Sequence, residues 1–314
     1  KKRPRPSSLG ASSTSSTGNP GQLVTTIRRL SETLDSLKFP EEITVYNPYC
    51  YAKLPAEAYF EQYGQRGPKG RILFVGMNAG PWGMVQTGVA FGDVSFVRDW
   101  MQISSPVGCP RCLHPARPVL GFDIQRGEKS GQRLWGLMRD TCGTAEAFFS
   151  RAFVVNYCPL AFFKGPKGTN VTPDRLPARD GTRSRVIAAC DAALEAFVNE
   201  LRPSFIIGVG NFAFARMQKV IEGMKIVGGP RVGLILHPSP ASPKANRGWA
   251  RQAKEQLQEL GCWDRLITSI DYPPICMHKS KNQKQNSTSQ KNTKDGMNCD
   301  DTRRQESTAC QETH

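Results

Sequence analysis

Four short apolar, β-branched runs recur through the middle of the chain, at residues 72–75, 153–155, 205–209 and 232–236. Each has the length of a buried strand, and each leads into a polar or glycine-rich corner. The corners are Gly76-Met77-Asn78, Asn156-Tyr157-Cys158-Pro159, Gly208-Val209-Gly210-Asn211 and His237-Pro238-Ser239-Pro240. Helical periodicity fills residues 183–201 and 212–221, at the spacing that parallel crossovers require. The pattern predicts an α/β fold, a doubly wound parallel sheet with helices on both faces.

Around this frame the pattern changes. Leu23, Ile27, Leu30, Leu34 and Leu37 form one helical face, ended by Pro40. Residues 109–130 have no period and read as an irregular excursion before a helix at 132–140. After Pro243 the period is helical again, with Trp249, Ala253, Leu257 and Leu260 on one face and Lys244, Arg247, Arg251 and Lys254 on the other. Residues 1–21 and 271–314 are too polar to bury a core and are expected to be disordered tails. One folded domain then spans residues 22–270.

Charge sharpens this picture. Of the formal +15, residues 1–20 carry +4 and residues 271–314 carry +1, which leaves +10 on the folded part. A basic folded domain is expected to bind a polyanion, most commonly nucleic acid. An anionic membrane is the rival partner, but no run of eighteen apolar residues and no basic amphipathic terminal helix is present. No apolar segment follows the N-terminal charges, so no secretory signal is expected. The ten cysteines then read as reduced thiols. Cys109, Cys112 and His114 form one local cluster, but no second pair at finger spacing completes a zinc site, so a free-thiol loop is expected and no metal. Lys2-Arg3-Pro4-Arg5 fits a short nuclear-import pattern.

The densest candidate chemistry lies at residues 76–92, where Gly76, Gly80, Gly83, Gly88 and Gly92 follow the first strand. This is neither a phosphate-cradling Walker loop nor a dinucleotide turn. Composition alone leaves a ligand loop and a plain connecting loop evenly matched. Ligands in open α/β sheets bind outside the carboxyl ends of the strands, so Asn78, Asn156 and His237 should converge in space. The basic face after Pro243 can hold DNA phosphates or can be a solvated surface.

Two stretches carry a resemblance. Gly76-Met77-Asn78-Ala79-Gly80-Pro81-Trp82-Gly83-Met84 with Gln86-Thr87-Gly88-Val89-Ala90-Phe91-Gly92 is one; His237-Pro238-Ser239-Pro240 with Ala245-Asn246-Arg247-Gly248-Trp249 is the other. Together they closely resemble the single-strand-selective monofunctional uracil-DNA glycosylases, over about residues 23–266. The resemblance implies a four-stranded parallel sheet between helices. It also implies excision of uracil and C5-oxidised uracils, such as 5-hydroxymethyluracil, from single- and double-stranded DNA. The product would be an abasic site, made without strand cleavage, metal or cofactor, by a monomer working in the nucleus.

It assigns water positioning to Asn78 and stabilisation of the departing base at O2 to His237. Asn156 would select uracil, Phe91 would stack on the flipped base, and the backbone of residues 80–84, from Gly80 to Met84, would form the wall near C5. Ser239, Ala241, Ser242, Lys244 and Arg247 would meet DNA. Three positions depart from the family's usual residues: alanine replaces proline at Ala79 and Ala90, and replaces a common arginine at Ala241, the tip of the wedge. Fewer prolines imply a less rigid loop. These departures motivate the competing reading, a non-catalytic DNA-binding relative of the same fold.

Overall fold

In the computed structural model, residues 21–267 are described, and the two predicted tails lie outside them but for Gly21. Among the described residues seven strands form two sheets: β1 (Ile43–Tyr46), β2 (Ile72–Asn78), β3 (Ala152–Cys158), β4 (Ala161–Lys164), β5 (Thr169–Val171), β6 (Phe205–Val209) and β7 (Arg231–Ile235). The larger sheet has order β3-β2-β6-β7, and all its pairs are parallel. Every residue of β3 and β6 is buried, so both sheet faces are covered.

The covering helices fall into two groups. In one, α1 (Gln22–Asp35) packs on α4 (Thr182–Leu201), which packs on α5 (Asn211–Met224). In the other, α2 (Lys129–Cys142) contacts α3 (Ala145–Phe149) and α6 (Trp249–Glu259). α1 buries the predicted Leu23, Ile27, Leu30 and Leu34, and α4 buries Val186, Cys190, Leu194, Phe197 and Leu201. The first helix stops at Asp35, two residues before the predicted Leu37, and α2 extends past the predicted 132–140 at both ends.

The smaller sheet, β1-β4-β5, is antiparallel and was not expected. Its strands are three or four residues long, too short to show an alternation in sequence. It matters because β5 carries Asn170 to the sheet's cavity edge.

After Pro243 the expected continuous helix is corrected. Ala245–Arg247 is a single 3-10 turn, Gly248 adopts φ +93°, and only then does α6 begin at Trp249. Lys244 and Arg247 therefore sit on an exposed turn rather than on a helical stripe with Arg251 and Lys254. Arg251 pairs with Glu255 along the helix, and Lys254 lies over the Trp263 ring.

The amino end of β2 is pinned by a charge. Arg71, almost fully buried, donates from Nη1 to the carbonyls of Tyr63 (2.7 Å) and Phe149 (2.6 Å) and from Nη2 to that of Gly64 (2.7 Å). Its guanidinium also lies over the Phe153 ring. Hydrogen bonds from a charged donor stabilise by about 1.5–3 kcal/mol each, and carbonyls left dry cost comparably. Arg71→Met, which keeps the apolar stem, is expected to lower the unfolding free energy by about 3 kcal/mol in urea titration; a loss below about 1 kcal/mol would show that the three carbonyls find other partners.

Candidate active site

The carboxyl ends of β2 and β3 and the segment after β7 enclose one cavity of about 580 Å³. Asn78 ends β2, Asn156 lies on β3 and His237 follows β7 by two residues; all three line it. So do Gly80, Met84, Phe91, Ser239, Ala241 and Ser242. Residues separated by some eighty positions thus meet because parallel strands end together. Lys244 and Arg247 do not line the cavity.

The pocket floor is set by register. Gly76 on β2 stands opposite Asn156 on β3. A Cβ on Gly76 would lie 2.2 Å from Asn156 Oδ1 and 2.5 Å from Phe91 Cε2, so only glycine admits both side chains. Asn156 is 3% exposed; its Nδ2 donates to Met84 Sδ at 3.2 Å, and its buried Oδ1 accepts from no described residue. Phe91 has φ +53°, a left-handed conformation that a bulky residue rarely adopts. Its carbonyl accepts from Asp93 N at 2.7 Å and Trp135 Nε1 at 3.1 Å, which holds the conformation in place.

Asn78 donates from Nδ2 to the carbonyls of Ala79 (3.3 Å) and Leu160 (3.4 Å). With the amide nitrogen committed to backbone, Oδ1 is the acceptor it presents. Ala79 and Ala90, the two departures in this loop, are both buried.

His237 accepts at Nδ1 from the backbone N–H of Ser239 at 3.1 Å, so the ring proton resides on Nε2. Desolvation lowers its pKa from 6.5 to about 4, and the ring is neutral at neutral pH. Its ring centre lies 5.9 Å from that of Phe91. The segment after it is tightly tied. Ser239 Oγ accepts from Ala241 N, Ser242 Oγ from Ala245 N, and Asn246 Nδ2 donates to Pro240 O. Arg133 of α2 spans the loop, donating to Pro238 O at 3.0 Å and Asn246 Oδ1 at 2.8 Å.

Several lining residues escaped sequence reasoning: Glu128, Ser130, Asn170 and Thr172. Glu128 sits behind the Gly80 corner, where a Cβ on Gly80 would lie 2.7 Å from its Oε2. Burial raises its pKa, against the lowering effect of the Trp82 and Ser130 backbone hydrogen bonds. Nothing in the aperiodic segment before α2 marks this carboxyl as buried. Asn170 and Thr172 arrive on the unanticipated small sheet and its continuation.

The cysteine cluster lies elsewhere. Cys109 and Cys112 are exposed beside a second cavity of about 300 Å³ that shares no lining residue with the first. His114 uses both ring nitrogens, Nδ1 with Ala116 N and Nε2 with Gly165 O. Among the described residues no group of three His, Cys, Asp or Glu side chains is placed to hold a metal, and no helix is long and apolar enough to cross a membrane.

Residues 63–261 match the model of the Uracil DNA glycosylase superfamily. The chain is 46% identical over 236 residues to the single-strand selective monofunctional uracil DNA glycosylase of Mus musculus, covering 74% of this chain and 81% of that protein. To the Bos taurus protein of the same name it is 46% identical over 244 residues, covering 77% and 86%. The crystal structure of SMUG2 from Pedobacter heparinus superposes with a TM-score of 0.53 at 15% identity, over 76% of this chain and 98% of that one, a likeness of fold. With this sheet order and a family match across most of the described residues, the chain belongs to the uracil-DNA glycosylase superfamily.

Proposed function

We propose that the protein hydrolyses the N-glycosidic bond of uracil in DNA and leaves an abasic site without cutting the strand. The observation that carries the reading is the Asn156 amide. A buried acceptor without a donor costs about 1–3 kcal/mol, and Oδ1 in this cavity is such an acceptor. Uracil offers N3–H to it and O4 to the Nδ2 proton not used by Met84. Cytosine offers the reverse set at both positions and would leave buried groups unpaired. The base reaches Asn156 only when flipped out of its stack, with Phe91 as the ring beside it.

Departure of the base places negative charge on O2. A neutral imidazole with its proton on Nε2 donates to that oxygen without first losing a proton, and the Ser239 amide keeps it in that tautomer. Asn78 Oδ1 orients the water that completes hydrolysis, and an amide suffices where the leaving group departs first. Among the described residues no lysine lines the cavity, so none of them offers an amine nucleophile for a strand-cleaving step.

The backbone wall of residues 80–84 supports a finer claim: C5-oxidised uracils such as 5-hydroxymethyluracil are substrates, in single- and double-stranded DNA. We further propose that the protein acts as a monomer, in the nucleus through Lys2-Arg3-Pro4-Arg5, which lies outside the described residues.

The direct test incubates a single-stranded oligonucleotide bearing one uracil, then treats it with alkali. Breakage at that position supports the proposal, and binding without breakage supports the non-catalytic reading. Asn78→Ala is expected to slow single-turnover release by at least 100-fold (~3 kcal/mol of barrier) while DNA affinity changes less than about threefold, since phosphate contacts lie on other residues. Equal rates for variant and parent would remove Asn78 from the mechanism.

The His237 ring also sets a pH dependence. Its folded pKa is below its unfolded one, so its contribution to stability is complete above pH 6.5 and lost as pH falls toward about 4. That gap corresponds to at most about 3 kcal/mol. His237→Asn should flatten this acid loss in urea titrations at pH 7 and pH 4, and wild-type uracil release should show no inflection near 6.5. An inflection there that the substitution removes would mean the ring is charged in the working enzyme.

Ala241 yields the remaining expectation. Flipping from a duplex costs a few kcal/mol of stacking and pairing, and a side chain entering the gap offsets part of it. Ala241 is small and exposed at the cavity rim. Ala241→Arg should accelerate release from duplex several-fold more than from single strands in matched single-turnover assays; an equal factor on both would show that residue 241 is not the wedge.

A further inference from the structure

Trp82 stands on the rim of the cavity, half-buried, with an arginine near its ring from each of two segments. Arg126 Cζ lies 4.2 Å from the ring centroid and Arg117 Cζ 5.4 Å. The two cations are held differently. Arg117 is bound into the wall: its Nε donates to Gly168 O at 2.8 Å, its Nη1 to Ala116 O at 3.3 Å, and it also lies over Phe163. Arg126 is exposed, and no described residue accepts a hydrogen bond or forms an ion pair with its guanidinium. The acid that acts on it, Glu128, is half-buried and also interacts with the backbone of Trp82 and Ser130.

We propose that Arg126, laid over Trp82, is a clamp for a backbone phosphate of the DNA strand beside the nucleotide in the cavity. The inference rests on the proposed DNA substrate and adds a contact outside both sequence motifs. A guanidinium packed on an aromatic ring has one face covered, while its five N–H donors point outward in its own plane. Those donors match the oxygens of a phosphate in pairs, and the indole removes much of the rotamer freedom that binding would otherwise cost. A stacked nucleobase fits less well, because the indole face it would use is occupied by Arg126. Ser239, Ala241 and Ser242 line the same cavity and carry no cation, whereas Arg126 supplies one beside Trp82 on the rim.

The test uses the full chain and a labelled single strand carrying one 2′-fluoro uracil nucleotide, which resists hydrolysis. Dissociation constants are measured from 50 to 200 mM KCl. Arg126→Ala should make the plot of log affinity against log salt shallower by about 0.7, the value for one phosphate contact on a single strand. Arg126→Lys should restore the slope but bind about threefold more weakly than wild type, because a point charge replaces the planar fork. Neutral methylphosphonates are then placed singly at the three linkages on each side of the uracil. One position should weaken wild type several-fold and be silent in Arg126→Ala, the signature of direct coupling.

An unchanged slope in Arg126→Ala overturns the clamp. So does a scan in which every methylphosphonate affects variant and wild type alike. Full recovery of affinity by Arg126→Lys overturns the role of the Trp82 stack. Arg66, exposed near the amino end of β2, serves as the control; if Arg66→Ala flattens the slope equally, overall charge rather than a site is responsible. Uracil release by wild type on the hydrolysable strand separates the two proposals, since its absence refutes the glycosylase reading, whereas release with an unaltered Arg126→Ala slope refutes the clamp alone.

Discussion

The site depends on the absence of a side chain at residue 76. β2 and β3 run parallel in a register that sets Gly76 against Asn156, and the space a methyl group would fill is taken by the Asn156 carbonyl oxygen and the Phe91 ring. Any larger residue would push one of them out of the cavity. Phe91, whose ring reaches down to Gly76, also has a left-handed backbone. Such a conformation costs about 1–3 kcal/mol and persists only where surrounding bonds fix it. Here Trp135 Nε1 and the Asp93 amide, both on the Phe91 carbonyl, do so from α2 and from the loop itself.

Burial at the cavity has consequences beyond shape. Low dielectric penalises every charged or unpaired polar group in it, and three groups register that penalty in different ways. His237 stays neutral, Glu128 has its pKa raised, and Asn156 Oδ1 accepts from no described residue. A ligand with the complementary donor would satisfy the Asn156 oxygen. The lowered pKa of His237 and the raised pKa of Glu128 thus have one physical origin, burial at the carboxyl end of the sheet.

The large sheet was legible because four buried runs of suitable length are separated by helical periods, and parallel topology then forces Asn78, Asn156 and His237 together. Assigning them chemistry took more than periodicity: without the glycine-rich stretch and the segment after His237, Asn156 reads as a turn former and Phe91 as core. What could not be read falls into two kinds. The small sheet has strands of three or four residues, and its pairing Tyr46↔Ala161 joins segments far apart in sequence. Glu128 and Arg126 belong to a segment with no period, where burial of one and stacking of the other are decided by what packs against them. The basic stripe failed for a local reason, since Gly248 at φ +93° interrupts the helix that spacing alone extends back to Lys244.

Holding DNA and opening it make different demands on position. Phosphate attraction is long-ranged and indifferent to sequence, so a cation at any part of the rim that the backbone passes can supply it. Filling the gap left by a flipped base is a contact of a few ångströms and needs bulk at one point. Alanine at 241 removes bulk and charge from the loop after His237, yet the basic domain keeps cations on other elements, including the pair around Trp82 and the exposed turn at Lys244 and Arg247. Affinity can then survive a change that weakens opening. Where no partner base has to be lost that opening demand is smaller, and the contacts of Asn156 and Phe91 on the floor of the cavity are separate from it.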